Sequence, residues 1–191
     1  WQASNYSFFW GRTLEDGILY RLGTFKPYGK TVHMNEIHIM DHRPLPERFD
    51  SREKWPGMIQ EINDQGDCGS SWAFSTAALA SDRWSIQSKG RVTVALSPQQ
   101  LISCNSRGQK GCKGGHTDRA WWFMRKQGLT SEQCYPYTSG QTGQKGQCRI
   151  SYGRHRNGLV QCPSGTQEEH YKTTPPYRLS QSVRRCLIYI F

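Results

Sequence analysis

Seven cysteines, Cys68, Cys104, Cys112, Cys134, Cys148, Cys162 and Cys186, constrain this 191-residue chain more than any other feature. Their spacing is wide and irregular, with no C-x-x-C pair and no H-E-x-x-H stretch, so a zinc site is disfavoured; no other metal or cofactor motif is present. Cysteines spaced this way in a loop-rich chain suit disulfides, and disulfides imply an oxidising compartment and secretion. The odd count leaves one thiol over. Asn5-Tyr6-Ser7 is the one N-x-[ST] sequon, which makes Asn5 the candidate glycosylation site.

Composition narrows the class. The chain is 35% hydrophobic and 12% aromatic, which is globular rather than disordered. The longest apolar run, "CLIYIF" at 186–191, is too short to cross a bilayer. The start at Trp1, without Met or a signal-like stretch, reads as a fragment or a processed product. The net charge of +10 lies in small groups such as Arg125-Lys126, Arg154-His155-Arg156 and Arg184-Arg185. Without a long basic block or a recognition motif, this is a solvated basic surface and not a nucleic-acid binder. Its charge fits weak attraction to acidic matrix glycans or anionic surfaces.

Three helices are predicted. Ser71 to Lys89 has a densely apolar first half, and Gly90 is placed to end it at C′. "SPQQLISC" opens with Ser97 as N-cap, Pro98 at the first position and Gln100 three residues after the cap, a capping-box spacing. "GGHTDRAWWFMRKQG" offers Thr117 or Asp118 as cap and Gly128 as stop. Before them, "RPLPERFDSREKWPG" reads as a linker entering a new domain. After Leu129 the chain is turn-rich, with a strand predicted at Tyr177 to Leu179.

The stretch "QGDCGSSWAFSTA", Gln65 to Ala77, runs from a polar turn into an apolar helix that opens with Ser71 and Trp72. Cys68-Gly69-Ser70-Ser71-Trp72 matches the papain nucleophile signature C-G-[SA]-C-[WY] at four of five positions, and the mismatch is the nucleophile. "LPERFDSREKWP" at 45–56, "LSPQQLISC" at 96–104, "GCKGG" at 111–115 and "CYPY" at 134–137 complete the pattern. Together they resemble papain-like cysteine peptidases of the cathepsin B branch. Serine at the nucleophile, with "ASDRWSIQSKG", "AWWF" and the leader "WQASNYSFFWGRTLEDGILYRLGT", is similar to a non-catalytic group within that branch, secreted basement-membrane glycoproteins.

The resemblance implies an α+β, papain-like fold with the helical lobe present and the β-rich lobe largely missing. It divides the chain into a propeptide-like segment (1–46), a helical lobe with disulfide loops (47–165), and the start of a second lobe with a divergent tail (166–191). It implies a Cys68–Cys112 disulfide and leaves the pairing of Cys104, Cys134, Cys148 and Cys162 open. It places Trp72, Gly114 and Gly115 in a cleft, and Gln65 where active relatives bind an oxyanion. For Gln65 a plain polar loop residue, and for the glycine pair a tight turn, fit the sequence equally well. Laminin, collagen IV or cell-surface receptors are the implied partners, and the extracellular matrix the implied location. Past about residue 182 the pattern is lost, which reads as a truncated end; Cys186 would then be a spare thiol beside a run that forms either an exposed edge strand or an ordinary strand packed against the first lobe.

Peptidase chemistry of this type needs a thiolate beside an imidazolium, and a serine hydroxyl stays protonated without an aligned base. The family's His lies about 130 residues downstream of the nucleophile, beyond Phe191 if counted from Ser71. His33, His38, His42, His116, His155 and His170 match no motif; His116 lies nearest a cleft element in sequence and reads as a solvated loop residue. The sequence therefore predicts a non-catalytic matrix or adhesion protein. The alternatives are a cysteine-type peptidase and a truncated product without independent function.

Overall fold

The computed structural model describes residues 6–26, 34–38, 46–152 and 159–179. Asn5, Cys186 and the tail reading lie outside those residues.

The leader carries more order than its sequence suggested. A 3-10 turn, Ser7–Phe9, precedes helix α1, Leu14–Arg21. Thr13 caps α1 reciprocally: its hydroxyl accepts from Asp16 N at 3.1 Å, and Asp16 Oδ2 accepts from Thr13 N at 2.9 Å. These bonds hold the Asp16 carboxyl below its ordinary range. The spacing T-x-x-D was a local signal for this helix. None of α1 is buried. Strand β1, Asn35–Ile37, follows. The predicted linker contains a single helical turn, α2, Ser51–Lys54, capped by Asp50.

The core is built on α3, Ser71–Gln87. Trp72, Ala73, Ala77 and Ala80 face inward, and small residues at this spacing let two further helices approach closely. Helix α4, Pro98–Cys104, brings Leu101 and Ile102; helix α5, Thr117–Lys126, brings Ala120 and Met124. A short helix α6, Ser139–Thr142, lies in the turn-rich region. Strands β2 (Leu159–Gln161) and β3 (Gln167–Glu169) pair antiparallel. Strand β4 forms at Tyr177–Leu179, as predicted, and pairs in parallel with β1 of the leader, Asn35 opposite Tyr177.

Three helix ends differ from expectation. At the end of α3, Lys89 N donates to Ile86 O and Gly90 N to Ser85 O, a Schellman motif. Gly90 is therefore one position beyond C′, and Lys89 takes the left-handed conformation, φ 55°. At α4, Ser97 caps Gln100 N at 3.1 Å, but the Gln100 side chain does not return to close a box. Instead Gln100 Oε1 accepts from Thr130 N at 2.7 Å, and its amide donates to Tyr152 Oη at 3.1 Å. Its neighbour Gln99 accepts from Thr138 N and Ser139 N. Two buried glutamines thus staple the loops that follow α5. At α5 the N-cap is His116, not Thr117 or Asp118, and its side chain makes no cap bond.

Three disulfides bind this lobe: Cys68–Cys112, Cys104–Cys148 and Cys134–Cys162. The last two resolve the pairing that the sequence left open.

Candidate functional site

Ser71 opens α3, where the first backbone amides of the helix lack internal partners. Cys68–Cys112 ties the preceding turn to the loop at 110–115, and Gly69 N donates to Cys112 O at 2.8 Å. Trp72 is fully buried, and its indole Nε1 donates to Gly111 O at 3.1 Å. The indole lies directly under Gly115, where a Cβ would come within 2.6 Å of the ring. Trp72, Gly114 and Gly115 are thus brought together beside Ser71; the start of α3 and the glycine pair stand on either side of one cleft, and Trp72, wholly buried, lies behind it in the core.

That cleft is filled by the leader. Gly23 O accepts from Gly115 N and Phe25 N donates to Gly115 O, both at 2.8 Å, so the leader pairs with the glycine edge as a short parallel strand at Thr24. The approach needs Gly23: a Cβ there would stand 1.9 Å from Gly69 O. It needs Gly114 as well, which has φ 105° and lies under the Phe25 ring, 2.3 Å from where its Cβ would be. The Phe25 ring also meets the His116 imidazole edge-on at 5.4 Å. His116 therefore packs on the leader, which corrects its reading as a solvated loop residue.

Ser71 and Gln65 bond to the same segment. Ser71 Oγ accepts from Gly23 N at 3.2 Å and shares a hydrogen bond of 2.8 Å with Thr24 Oγ1. Among the described residues no imidazole bonds to it. Gln65 Nε2 donates to Arg21 O and Cys68 O, both at 3.0 Å, with a longer contact to Tyr20 O. The carbonyl end of α1 thus occupies the Gln65 side-chain amide. Tyr137 fixes this turn, donating to Gln65 O at 2.5 Å and bonding Ser70 Oγ at 3.1 Å.

Ion pairs flank the contact: Arg21 to Asp64 at 2.7 Å and Arg12 to Asp67 at 3.4 Å. The Gly66 amide and the Arg21 guanidinium hold the Asp64 carboxyl below its usual range. Sequence reading missed Gly23, Thr24, Arg21 and Tyr137. Their role depends on contacts more than forty residues apart, for which no local signal exists.

On the far side of α3, Phe74, Ala77, Leu96 and Pro98 line a small pocket that also takes the Glu132 carboxyl. Burial pushes Glu132 up to about 7, against one backbone hydrogen bond from Tyr137 N. Cys134, Cys162 and Glu168 also come together, but the two sulfurs are bonded to each other and offer no thiolate to a metal.

The described residues include no helix long and apolar enough to cross a membrane. Residues 45–183 match the family described as papain family cysteine protease. The chain is 44% identical over 98% of its length to "Tubulointerstitial nephritis antigen-like" of Mus musculus, and 46% identical over 95% to "Tubulointerstitial nephritis antigen" of Homo sapiens. It spans 42% and 40% of those two relatives, less than half of each. It is 37% identical over 72% of its length to "Cathepsin B-like CP2" of Giardia intestinalis, spanning 42% of that protein. Among solved structures, procathepsin B S9 of Trypanosoma congolense superposes with a TM-score of 0.61 at 32% identity, over 72% of this chain and 48% of that one. A digestive procathepsin L2 of Tenebrio molitor does so at 0.64 and 27% identity, over 77% of this chain and 47% of that one.

Proposed function

The chain belongs to the papain family of cysteine proteases, and from that premise we propose that it is a non-catalytic member acting in the extracellular matrix, in matrix binding or cell adhesion. One observation carries the loss of chemistry. Ser71, which the motif resemblance puts at the nucleophile position, has its hydroxyl bonded to Gly23 and Thr24, and the Gln65 amide is bonded to leader carbonyls. Among the described residues no imidazole bonds to this alcohol, which supports a position without an activated nucleophile.

Three disulfides favour an extracellular setting, and the similarity to the nephritis-antigen group favours the matrix over a digestive role. In this reading residues 1–46 are a propeptide-like segment that stays in place, 47–165 are the helical lobe, and 166–191 begin a second lobe. Asn5 carries a glycan, and laminin, collagen IV or a cell-surface receptor is the partner.

Two assays test it. The secreted chain is offered fluorogenic dipeptides between about pH 5 and pH 7 beside Ser71→Ala. No turnover is expected from either, and turnover abolished by Ser71→Ala sinks the non-catalytic half. Retention on laminin- or collagen IV-coated surfaces is expected; loss of retention on both, and on cells, sinks the matrix half.

A further inference from the structure

A cationic surface stands beside the occluded cleft. Between Asp82 and Glu168 the sequence contains two carboxylates, Asp118 and Glu132, and neither is exposed. Over the same stretch Arg107, Lys110, Lys113, Lys145 and Arg149 are all exposed. The fold gathers them from separate segments.

Cys104–Cys148, with its Cα atoms 4.7 Å apart, ties the residue before Arg149 to the C-terminal end of α4, three residues before Arg107 in sequence. The Lys145 carbonyl accepts from Gln99 Nε2 at 3.3 Å and from the Ser103 hydroxyl, which pins its turn to the same helix end. The Lys145 stem then lies against Gly111, where a Cβ would come within 2.6 Å of Lys145 Cβ. Gly111 sits inside the turn that joins Lys110 to Lys113, closed by Lys113 N donating to Lys110 O at 3.1 Å.

Like charges held together by disulfides and buried glutamines repel one another, and no exposed carboxylate of this stretch offsets them. Such a surface is stabilised by a polyanion that replaces the missing counter-charges. Lysine ammoniums on flexible stems suit dispersed sulfates better than a single bidentate site. We infer that the surface of Arg107, Lys110, Lys113, Lys145 and Arg149 binds a sulfated glycosaminoglycan. The choice of a glycan over a nucleic acid rests on the extracellular reading above. It rests also on the chemistry of the patch: the ring beside it, Phe25 under the Lys110 ammonium at 5.6 Å, is already packed on Gly114 and His116 and is not free to stack on a base.

The test applies the full chain to immobilised heparin under a salt gradient, with desulfated heparin and a single-stranded DNA of equal length as competitors. The wild type is expected to be retained at about 0.15 M salt and displaced by heparin, weakly by desulfated heparin and weakly by DNA. Lys110→Ser, Lys113→Ser and Lys145→Ser together should lower affinity by about tenfold or more and flatten the slope of log affinity against log salt. The same three changed to Arg should keep it, which separates charge from loop packing. Lys54→Ser, Lys89→Asn and Lys172→Ser together remove equal charge elsewhere and should change affinity by less than about threefold. Failure of the wild type to bind heparin, wild-type binding by the loop serine variant, or DNA competing as well as heparin overturns the inference. Peptide turnover and laminin or collagen retention are read separately, so a failure there is distinguishable from a failure here.

Discussion

The helical lobe and the leader meet at one cleft and are held by opposite kinds of physics. In the lobe, Trp72, Leu101 and Met124 are fully buried, and three disulfides close its loops. In the leader, α1 buries nothing; Leu14 is 75% and Leu22 69% exposed. It is attached instead by backbone pairing at Gly23 to Phe25, by hydrogen bonds to Ser71 and Gln65, and by ion pairs in which the partly covered side chains of Arg12 and Arg21 meet the more exposed Asp67 and Asp64. Surface pairs of that kind contribute about 0–1 kcal/mol each. The leader therefore covers backbone and polar atoms of the cleft; Phe25 packs on Gly114 and His116, while Leu14, Ile18, Leu19 and Leu22 are left to solvent. Packing specifies the lobe; shape, at a few glycines, specifies where the leader lies.

The largest effect expected from this contrast is in the lobe. Trp72→Ala removes the largest fully buried side chain together with its bond to Gly111, and should cost about 3–5 kcal/mol. Denaturant unfolding measures it, and a loss below about 1 kcal/mol would mean that α3 is not the centre of the core. Next is the Cys104–Cys148 bridge, with a sequence separation of 44. Replacing both cysteines with serine should cost about 3–4 kcal/mol on the chain-entropy account. Protection of the leader amides against hydrogen exchange should persist wherever the lobe stays folded, because this bridge lies away from the cleft contact. Leader amides that exchange freely while the lobe is intact would show that the two regions are coupled more tightly than their contacts indicate.

Glu132 offers a pH handle on the lobe alone. Its carboxyl, raised to about 7 from an ordinary 4.5, binds a proton in the folded chain that the unfolded chain has released between those values. Stability from this group is thus fully present below about pH 4.5 and is lost as pH rises through about 7. With partial exposure discounted, the fall amounts to about 1–2 kcal/mol. Glu132→Gln keeps an acceptor for Tyr137 N and should remove that slope, making the variant the more stable of the two at pH 7.5. Parallel pH–stability curves for the two proteins would contradict the assignment.

Much of the lobe was legible in the sequence because its signals are local. Apolar spacing placed α3, Ser97-Pro98 placed the start of α4, and the Trp121-Trp122 stretch placed α5. The papain-like motifs added the fold and the Cys68–Cys112 pairing. What stayed hidden was non-local or competitive. Gln100 has a capping-box position, yet Thr130 and Tyr152 compete for its side chain and win. Gly90 looked like C′, but the Schellman bonds close one residue earlier and force Lys89 into a left-handed conformation. At the cleft, Ser71 and Gln65 could be named from the motif, while Gly23, Thr24 and Phe25 could not. A glycine in a leader shows its purpose only when Gly69 O stands where its side chain would be.

The smallest global effect and the sharpest test of the comparison coincide at that residue. Gly23 lies outside the core and has a negative φ, so alanine is compatible with its own backbone. The three atoms nearest to such a Cβ are backbone atoms across the cleft, Gly69 O at 1.9 Å, Gly69 C at 2.2 Å and Ser70 N at 2.9 Å. None belongs to a flexible side chain that could swing aside, so the leader must lift. Once the leader has lifted, the substituted residue no longer touches the lobe, so Gly23→Ala should change the unfolding free energy of the lobe by no more than about 0.5 kcal/mol, the range of surface substitutions. Locally the effect should be large. The amides of Gly23 and Phe25, which donate to Ser71 Oγ and Gly115 O, should lose their exchange protection, and limited proteolysis should cut between Leu22 and Lys26 at a much higher rate. Thr24→Val, which deletes one hydroxyl bond to Ser71 and keeps the shape, should do far less. If the two substitutions loosen the leader equally, its hold comes from the hydroxyl pair and not from the close backbone approach. If neither loosens it, α1 is anchored by its ion pairs, and the contrast between a packed lobe and a shape-fitted leader fails.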